Sequence, residues 1–252
     1  MTAPLTDLTL RIAFLYGAEM NIYGDRGNVI ALTQRARWRG ITVEVDQVGI
    51  GDPLPAGRHD LYFFGGGQDK EQAAVAADLT SRDGADKGAV LREAVAAGAV
   101  ALTICGGYQL FGHYYRPHNG PELPGIGVFD VTSEAGPDRF IGNSVIALPD
   151  GDLVGFENHS ALTFVGPGCE SLGKVIVGAG NNGRDGAGGA RAGHAYGCYL
   201  HGSLLPKNPW FADKLLAEAL ARRYGPVELP SLPDDLELAA HASAVRRAHA
   251  TH

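Results

Sequence analysis

The chain has 252 residues, 45% hydrophobic and 19% charged, enough for one large domain or two small ones with a substantial core. Its 21 Lys and Arg against 28 Asp and Glu give a formal charge of −7, which argues against the clustered basic surface of a nucleic-acid-binding protein. No apolar run approaches the roughly 18 residues of a membrane span. The first residues, Met1-Thr-Ala-Pro-Leu-Thr-Asp7, lack the basic start and apolar core of a signal peptide, so the expected location is the cytoplasm.

Residues 8–15 read as a strand, 26–39 as a helix closed by Gly40, 41–48 as a second strand and 60–64 as a short apolar third. Helical patterns follow at 69–79 and 87–97, and 99–104 is a strand ending at Cys105. Strands that alternate with helices and are apolar on both faces predict a parallel sheet covered on both sides, hence a three-layer α/β fold. From about residue 125 the pattern turns to short β-like runs, at 127–131, 144–148, 153–156, 174–177 and 194–200, which predict an antiparallel extension of that sheet. Residues 209–224 form a closing helix with Pro209 at its start and Gly225 past its end. A domain over 1–225 and a tail over 226–252 result; the tail is a Pro-rich linker followed by an Ala-rich helix.

Three cysteines, Cys105, Cys169 and Cys198, are odd in number and far apart, as expected of reduced thiols. His113 and His118 match no zinc spacing, and no metal site is expected. Gly178-Ala-Gly180-Asn-Asn-Gly183 fits the letters of a dinucleotide loop, but the glycine-rich residues after it cannot open a helix and position 203 is serine where an acid is needed. It is read as a flexible loop or hairpin.

The chemistry concentrates at Thr103-Ile-Cys105-Gly-Gly-Tyr-Gln109. A strand that turns sharply into a helix lifts its corner side chain clear of the sheet, and glycines permit that turn. Helix N–H groups aimed at the sulfur favour thiolate, the nucleophilic form. Phe64-Gly-Gly-Gly-Gln-Asp69 ends the neighbouring strand, and its backbone N–H groups with that of Gly106 would form an oxyanion hole. His201, at the end of another apolar strand, is the candidate base. His159, placed in a polar turn, is its competitor or a substrate or partner contact. Arg139, between turn residues and a β run, has the fork that grips a carboxylate.

Together these segments resemble the class I, or triad, glutamine amidotransferases, and Ile104-Cys-Gly-Gly-Tyr-Gln109 with Tyr199-Leu-His201-Gly is similar to the cobyric acid synthase branch. Met20-Asn-Ile-Tyr-Gly-Asp-Arg-Gly-Asn28, Phe64-Gly-Gly-Gly-Gln-Asp-Lys-Glu-Gln72, Gly155-Phe-Glu-Asn-His-Ser160, Asn181-Asn-Gly-Arg-Asp-Gly186 and His201-Gly-Ser-Leu-Leu-Pro-Lys-Asn-Pro209 narrow the resemblance to the GatD-type glutaminase subunits of lipid II isoglutaminyl synthase. The resemblance covers about residues 10–224.

It implies a flavodoxin-like fold and a heterodimer in which this subunit takes ammonia from L-glutamine. A Mur-ligase-like partner (MurT) would use the ammonia and ATP to amidate the D-glutamate α-carboxyl of lipid II. It implies Cys105 as nucleophile, His201 as base and acid, Gly66 and Gly106 as oxyanion donors, and Arg139 and Gln109 in the substrate pocket. No cofactor is expected on this chain: ATP and Mg belong to the partner, and the sequence has no Gly-x-x-x-x-Gly-Lys-Ser/Thr loop. Another amidation, such as that of corrinoid side chains, is the alternative. Most of the superfamily has a carboxylate two residues after the histidine, where this chain has Ser203. A Cys-His dyad is therefore expected, its imidazole oriented by Ser203, Asn208 or a carboxylate elsewhere.

Overall fold

The structure is a computed structural model that describes residues 4–81, 86–201 and 204–251. In chain order its first half contains β1 (Thr9–Leu15), α1 (Arg26–Arg37), β2 (Thr42–Val48), β3 (Leu61–Phe64), α2 (Asp69–Leu79), α3 (Lys87–Ala96), β4 (Val100–Ile104) and α4 (Gly106–Phe111). The second half contains β5 (Tyr114–Arg116), β6 (Leu123–Pro124), β7 (Val131–Leu148), β8 (Gly151–Val165), β9 (Gly173–Val177), β10 (Ala187–Gly188), β11 (Ala190–Ala192), β12 (Ala195–Cys198) and β13 (Leu200–His201). Three helices close the chain: α5 (Leu204–Lys207), α6 (Pro209–Tyr224) and α7 (Asp235–Thr251).

One six-stranded sheet runs β11-β12-β4-β3-β1-β2, parallel throughout except for antiparallel β11 at its edge. Every residue of β3 and β4 is buried, which explains their continuous apolar character. From β1 the chain steps one way to β2 and the other way from β3 to β4. With right-handed crossovers, α1 therefore lies on one face and α2 and α3 on the other. Helix α6 joins α1, burying Phe211, Leu215, Leu216, Ala219 and Leu220 on one side. Burial of each such leucine contributes roughly 1.5–3 kcal/mol. The carboxyl ends of β1, β3, β4 and β12 converge where strand order reverses, the usual place for a ligand in such sheets.

The antiparallel part forms a second sheet, β10-β9-β7-β5-β6, with β8 between β7 and β13. Its strands are longer than the sequence suggests. The 144–148 and 153–156 runs are pieces of a β7–β8 hairpin of 18 and 15 residues, and 127–131 joins it only at Val131. The register of the hairpin shifts between Ala135 and Phe140, so Gly136, Pro137, Asp138 and Arg139 form an irregularity rather than a chain reversal.

Residues 178–183 form a loop as expected, but a pinned one. The Asn181 side chain exchanges hydrogen bonds with Gly189, donating to its O at 2.9 Å and accepting from its N at 2.8 Å. The buried Glu157 carboxylate accepts from Ala179 and Gly180 N–H at 2.7 and 3.0 Å.

The tail is docked. In α7, Ala244, Val245 and Ala248 pack on Val145, Val154 and Val177 of the second sheet. Buried Arg35 of α1 grips Asp213 of α6 and Asp234 before α7, at 2.7 and 2.6 Å, and Arg39 Nε donates to Pro230 O. Among the described residues no helix is long and apolar enough to cross a membrane.

Candidate active site

Cys105 ends β4 with φ +52° and ψ −107° and forms the corner before α4. Only one other non-glycine among the described residues, Tyr16, has positive φ. Such a conformation costs about 1–3 kcal/mol and persists where surrounding bonds fix it. Here Cys105 N–H donates to Cys198 O at 2.9 Å, Gln109 N–H to Cys105 O at 2.9 Å, and Gly107 N–H to Gly65 O at 3.1 Å. Any Cβ at Gly107 would lie 2.6 Å from Phe64 O, so the corner also requires glycine there for space. The sulfur opens onto a cavity of about 500 Å³, within the ~300–1,000 Å³ usual for small-molecule sites.

His201 is buried beside it and hydrogen-bonds to Cys105. A Cβ built at Gly66 would stand 2.7 Å from His201 Cε1 and 3.1 Å from Cys105 Cβ, so that glycine is the surface against which the pair packs. His201 Nδ1 lies 3.2 Å from Asp25 Oδ1, and both side chains are fully buried. Burial by itself favours the neutral imidazole. The charge on Cys105, the hydrogen bonds to Asp25 and Cys105, and the Asp25 charge outweigh it and raise the His201 pKa to about 10.

The carboxylate that orients His201 is thus Asp25, at the start of α1. The sequence left this partner open. Asn208 is occupied elsewhere, its amide exchanging hydrogen bonds with the Val154 backbone at 3.0 and 2.9 Å, and Ser203 lies outside the described residues. The only trace of Asp25 in the sequence is as the acid of the Asn21-Ile-Tyr-Gly-Asp25 segment, immediately before α1.

One expected role changes. Gly66 N–H donates to Asp25 Oδ2 at 2.8 Å and is committed to holding the carboxylate, not to an oxyanion. Gly67 is the next residue of that turn and lines the cavity with Cys105.

Arg139 lines the same cavity from the irregularity in β7, its Nε donating to Asn158 Oδ1 at 2.7 Å. The Arg139 side chain is exposed. Gln109 forms the wall: its Oε1 accepts from Gln72 Nε2 at 2.7 Å and its Nε2 donates to Tyr199 OH at 3.2 Å. His159 is not in a polar turn but in β8, buried, with its ring stacked 3.7 Å from that of Tyr199. Burial lowers its pKa to about 4, so at neutral pH it is an uncharged part of the cavity wall.

Residues 11–209 match the sequence profile of the CobB/CobQ-like glutamine amidotransferase domain. The chain belongs to this family. Two relatives are similar to the CobB/CobQ-like chain over nearly their whole lengths. Both are named lipid II isoglutaminyl synthase (glutamine-hydrolyzing) subunit GatD. The Staphylococcus aureus protein is 37% identical over 95% of this chain and 96% of its own, and the Streptococcus pneumoniae protein is 38% identical over 94% and 92%. Cobyric acid synthase of Mycolicibacterium gilvum is 29% identical over 76% of this chain but only 36% of its own length. Among solved structures, PurLQS of Thermotoga maritima contains a chain that matches 84% of this one and 95% of its own with TM-score 0.56 at 13% identity. A glutamine amidotransferase from the same organism matches 93% of each chain with TM-score 0.53 at 13% identity. At such low identity these two show a shared fold.

Proposed function

We propose that this chain is the glutamine-hydrolysing subunit of a lipid II isoglutaminyl synthase in the cytoplasm. The observation that carries the glutaminase chemistry is Cys105 on a strained corner, hydrogen-bonded to a buried His201 that Asp25 holds. The Cys105 thiolate attacks the side-chain carbonyl carbon of L-glutamine; the C–S bond forms and the carbonyl electrons move to oxygen. The Gly106 and Gly67 N–H groups stabilise that oxyanion. His201 gives its proton to the departing nitrogen as the C–N bond breaks, releasing ammonia and leaving a γ-glutamyl thioester. Water then attacks the thioester, His201 takes its proton, and glutamate leaves as the thiolate re-forms. Arg139 holds the α-carboxylate and Gln109 bounds the side-chain amide.

Support for lipid II as the destination is the match with GatD along almost its entire length, whereas the chain spans about a third of a cobyric acid synthase. Amidation of the D-glutamate α-carboxyl would then occur on a Mur-ligase-like, ATP-dependent partner such as MurT, to which ammonia passes within the heterodimer. Co-purification with that partner, followed by glutamine-dependent amidation of lipid II in vitro, tests the assignment. Amidation of a corrinoid acceptor in place of lipid II would overturn it.

A further inference from the structure

Among the described residues two non-glycines have positive φ, Cys105 at +52° and Tyr16 at +51°. The nucleophile corner accounts for the first, whereas Tyr16 takes no part in the chemistry. Strain of this kind clusters at functional sites and persists where the surrounding structure fixes it. Tyr16 follows β1 and is fixed at both backbone and ring. Its N–H donates to Val48 O at 2.6 Å and its hydroxyl to Asp78 Oδ2 at 2.7 Å, and its carbonyl accepts from Glu19 and Met20 N–H at 3.1 and 2.6 Å. The turn so held delivers Met20, whose side chain has no exposed surface.

Met20 packs against both of the turns that flank the nucleophile. A Cβ added at Gly67 would run into Met20 Sδ and stand 3.2 Å from its Cε, and one added at Gly106 would stand 2.8 Å from the same Cε. The main chain of this segment grips the first turn as well. A Cβ at Gly65 would lie 2.5 Å from Met20 O, and Ile22 N–H donates to Gly66 O at 3.2 Å. Glycine turns have no side chains to hold their own peptide planes, so what packs against them sets where their N–H groups point. An unbranched thioether fills such an irregular gap well. We infer that Met20 is a positioning residue that holds Gly67 N–H and Gly106 N–H at the spacing the tetrahedral intermediate needs. Oxyanion donors accelerate the reaction only when they are preorganised. Met20 acts from within the core, since a side chain with no exposed surface does not touch the substrate. The inference rests on the proposal above that these two N–H groups receive the oxyanion.

The test compares two reactions of the same sulfur, in the full chain with its synthetase partner. Glutamine hydrolysis builds an oxyanion. Alkylation of Cys105 by iodoacetamide displaces iodide from a saturated carbon and builds none. In Met20→Ala, kcat for ammonia release is expected to fall at least about tenfold, part of the roughly 10²–10³ that a lost donor costs, with KM little changed. The rate of Cys105 alkylation should match that of the wild type, because the thiolate and its histidine are untouched. Met20→Leu, close in volume, should restore part of kcat. If a thermal melt shows that the alanine variant does not fold, Met20→Val carries the test with the same loss expected, its side chain being too short to reach Gly106. A folded variant with wild-type kcat would overturn the Met20 assignment alone, as would alkylation that slows in step with kcat or a change confined to KM. A wild type that releases no ammonia from glutamine would overturn the glutaminase proposal and this inference with it.

Discussion

The Asp25 carboxylate and the His201 imidazole, 176 residues apart in the chain, meet at 3.2 Å with no solvent exposure on either side chain. The second Asp25 oxygen is held by Gly66 N–H, so the carboxylate is fixed at both ends before it touches the imidazole. This makes a Cys-His-Asp array in which the acid precedes both partners in sequence, and it gives Asp25→Asn a defined signature. Asp25 favours the protonated imidazole, so losing its charge lowers the His201 pKa from about 10. The alkaline limb of the pH–rate profile for ammonia release should move to lower pH, and kcat should fall by about 10²–10⁴. An unchanged profile would remove Asp25 from the array.

The three thiols should react unequally. Cys198 is fully buried, with its pKa pushed up to about 12, and burial also raises that of Cys169. At pH 7 iodoacetamide should therefore modify Cys105 first, as read by peptide mass spectrometry. His201→Ala should slow that labelling and abolish ammonia release, as should Cys105→Ala, with the far-UV circular dichroism preserved.

Arg139→Ala should raise KM for glutamine at least about tenfold with a smaller effect on kcat, because a carboxylate grip acts equally on ground state and transition state. Arg139→Lys should recover only part of the loss, since the forked geometry goes with the guanidinium. Steady-state kinetics of ammonia release separate the two parameters.

Gly107→Ala should both inactivate and destabilise. The new methyl would press on two main-chain oxygens, Phe64 O at 2.6 Å and Gly65 O at 2.9 Å. Overpacking of this kind costs roughly 1–3 kcal/mol. A thermal melt lowered in step with lost activity is the expected result.

Arg35→Ala should loosen the tail. It removes the cation that pairs with Asp234, while Asp213 keeps its bonds to Arg39 at 3.0 and 2.7 Å. Limited proteolysis should then cut within 226–234. The contact between α1 and α6 should weaken in acid. Burial disfavours the charged Asp213, but its bonds to Arg35 and Arg39 outweigh this and lower its pKa, so its contribution is present at neutral pH and lost as pH falls through the lowered value.

The parallel half of the fold was legible because its signals are local. Each strand is a short apolar run, and α3 opens on a side-chain cap, Asp86 accepting from Ala89 N–H at 2.8 Å. Helix boundaries there fall within two residues of the sequence expectation. The β7–β8 hairpin was fragmented because turn-forming residues, Gly136-Pro137-Asp138, sit inside a strand at its irregularity. For the same reason Glu157-Asn158-His159-Ser160 resembled a turn, although Asn158 and His159 pair across the ladder with Ile141 and Phe140. Cys105 was evident because its corner is written into adjacent glycines. Asp25 was not, because nothing within its own segment indicates which imidazole it will meet. Nor did the alanine-rich tail indicate that Arg35 would anchor it.

Between β12, which belongs to the parallel sheet, and β13, which belongs to the antiparallel one, there is a single residue, Tyr199. Cys105 and Asp25 are therefore carried by one layer of the protein and His201 by the other. The reaction works across a seam, and a displacement of about an ångström between the layers is enough to separate acid-base group from nucleophile. Catalytic rate in this chain becomes a gauge of how its two sheets are seated. Substitutions along that seam should change turnover without touching glutamine.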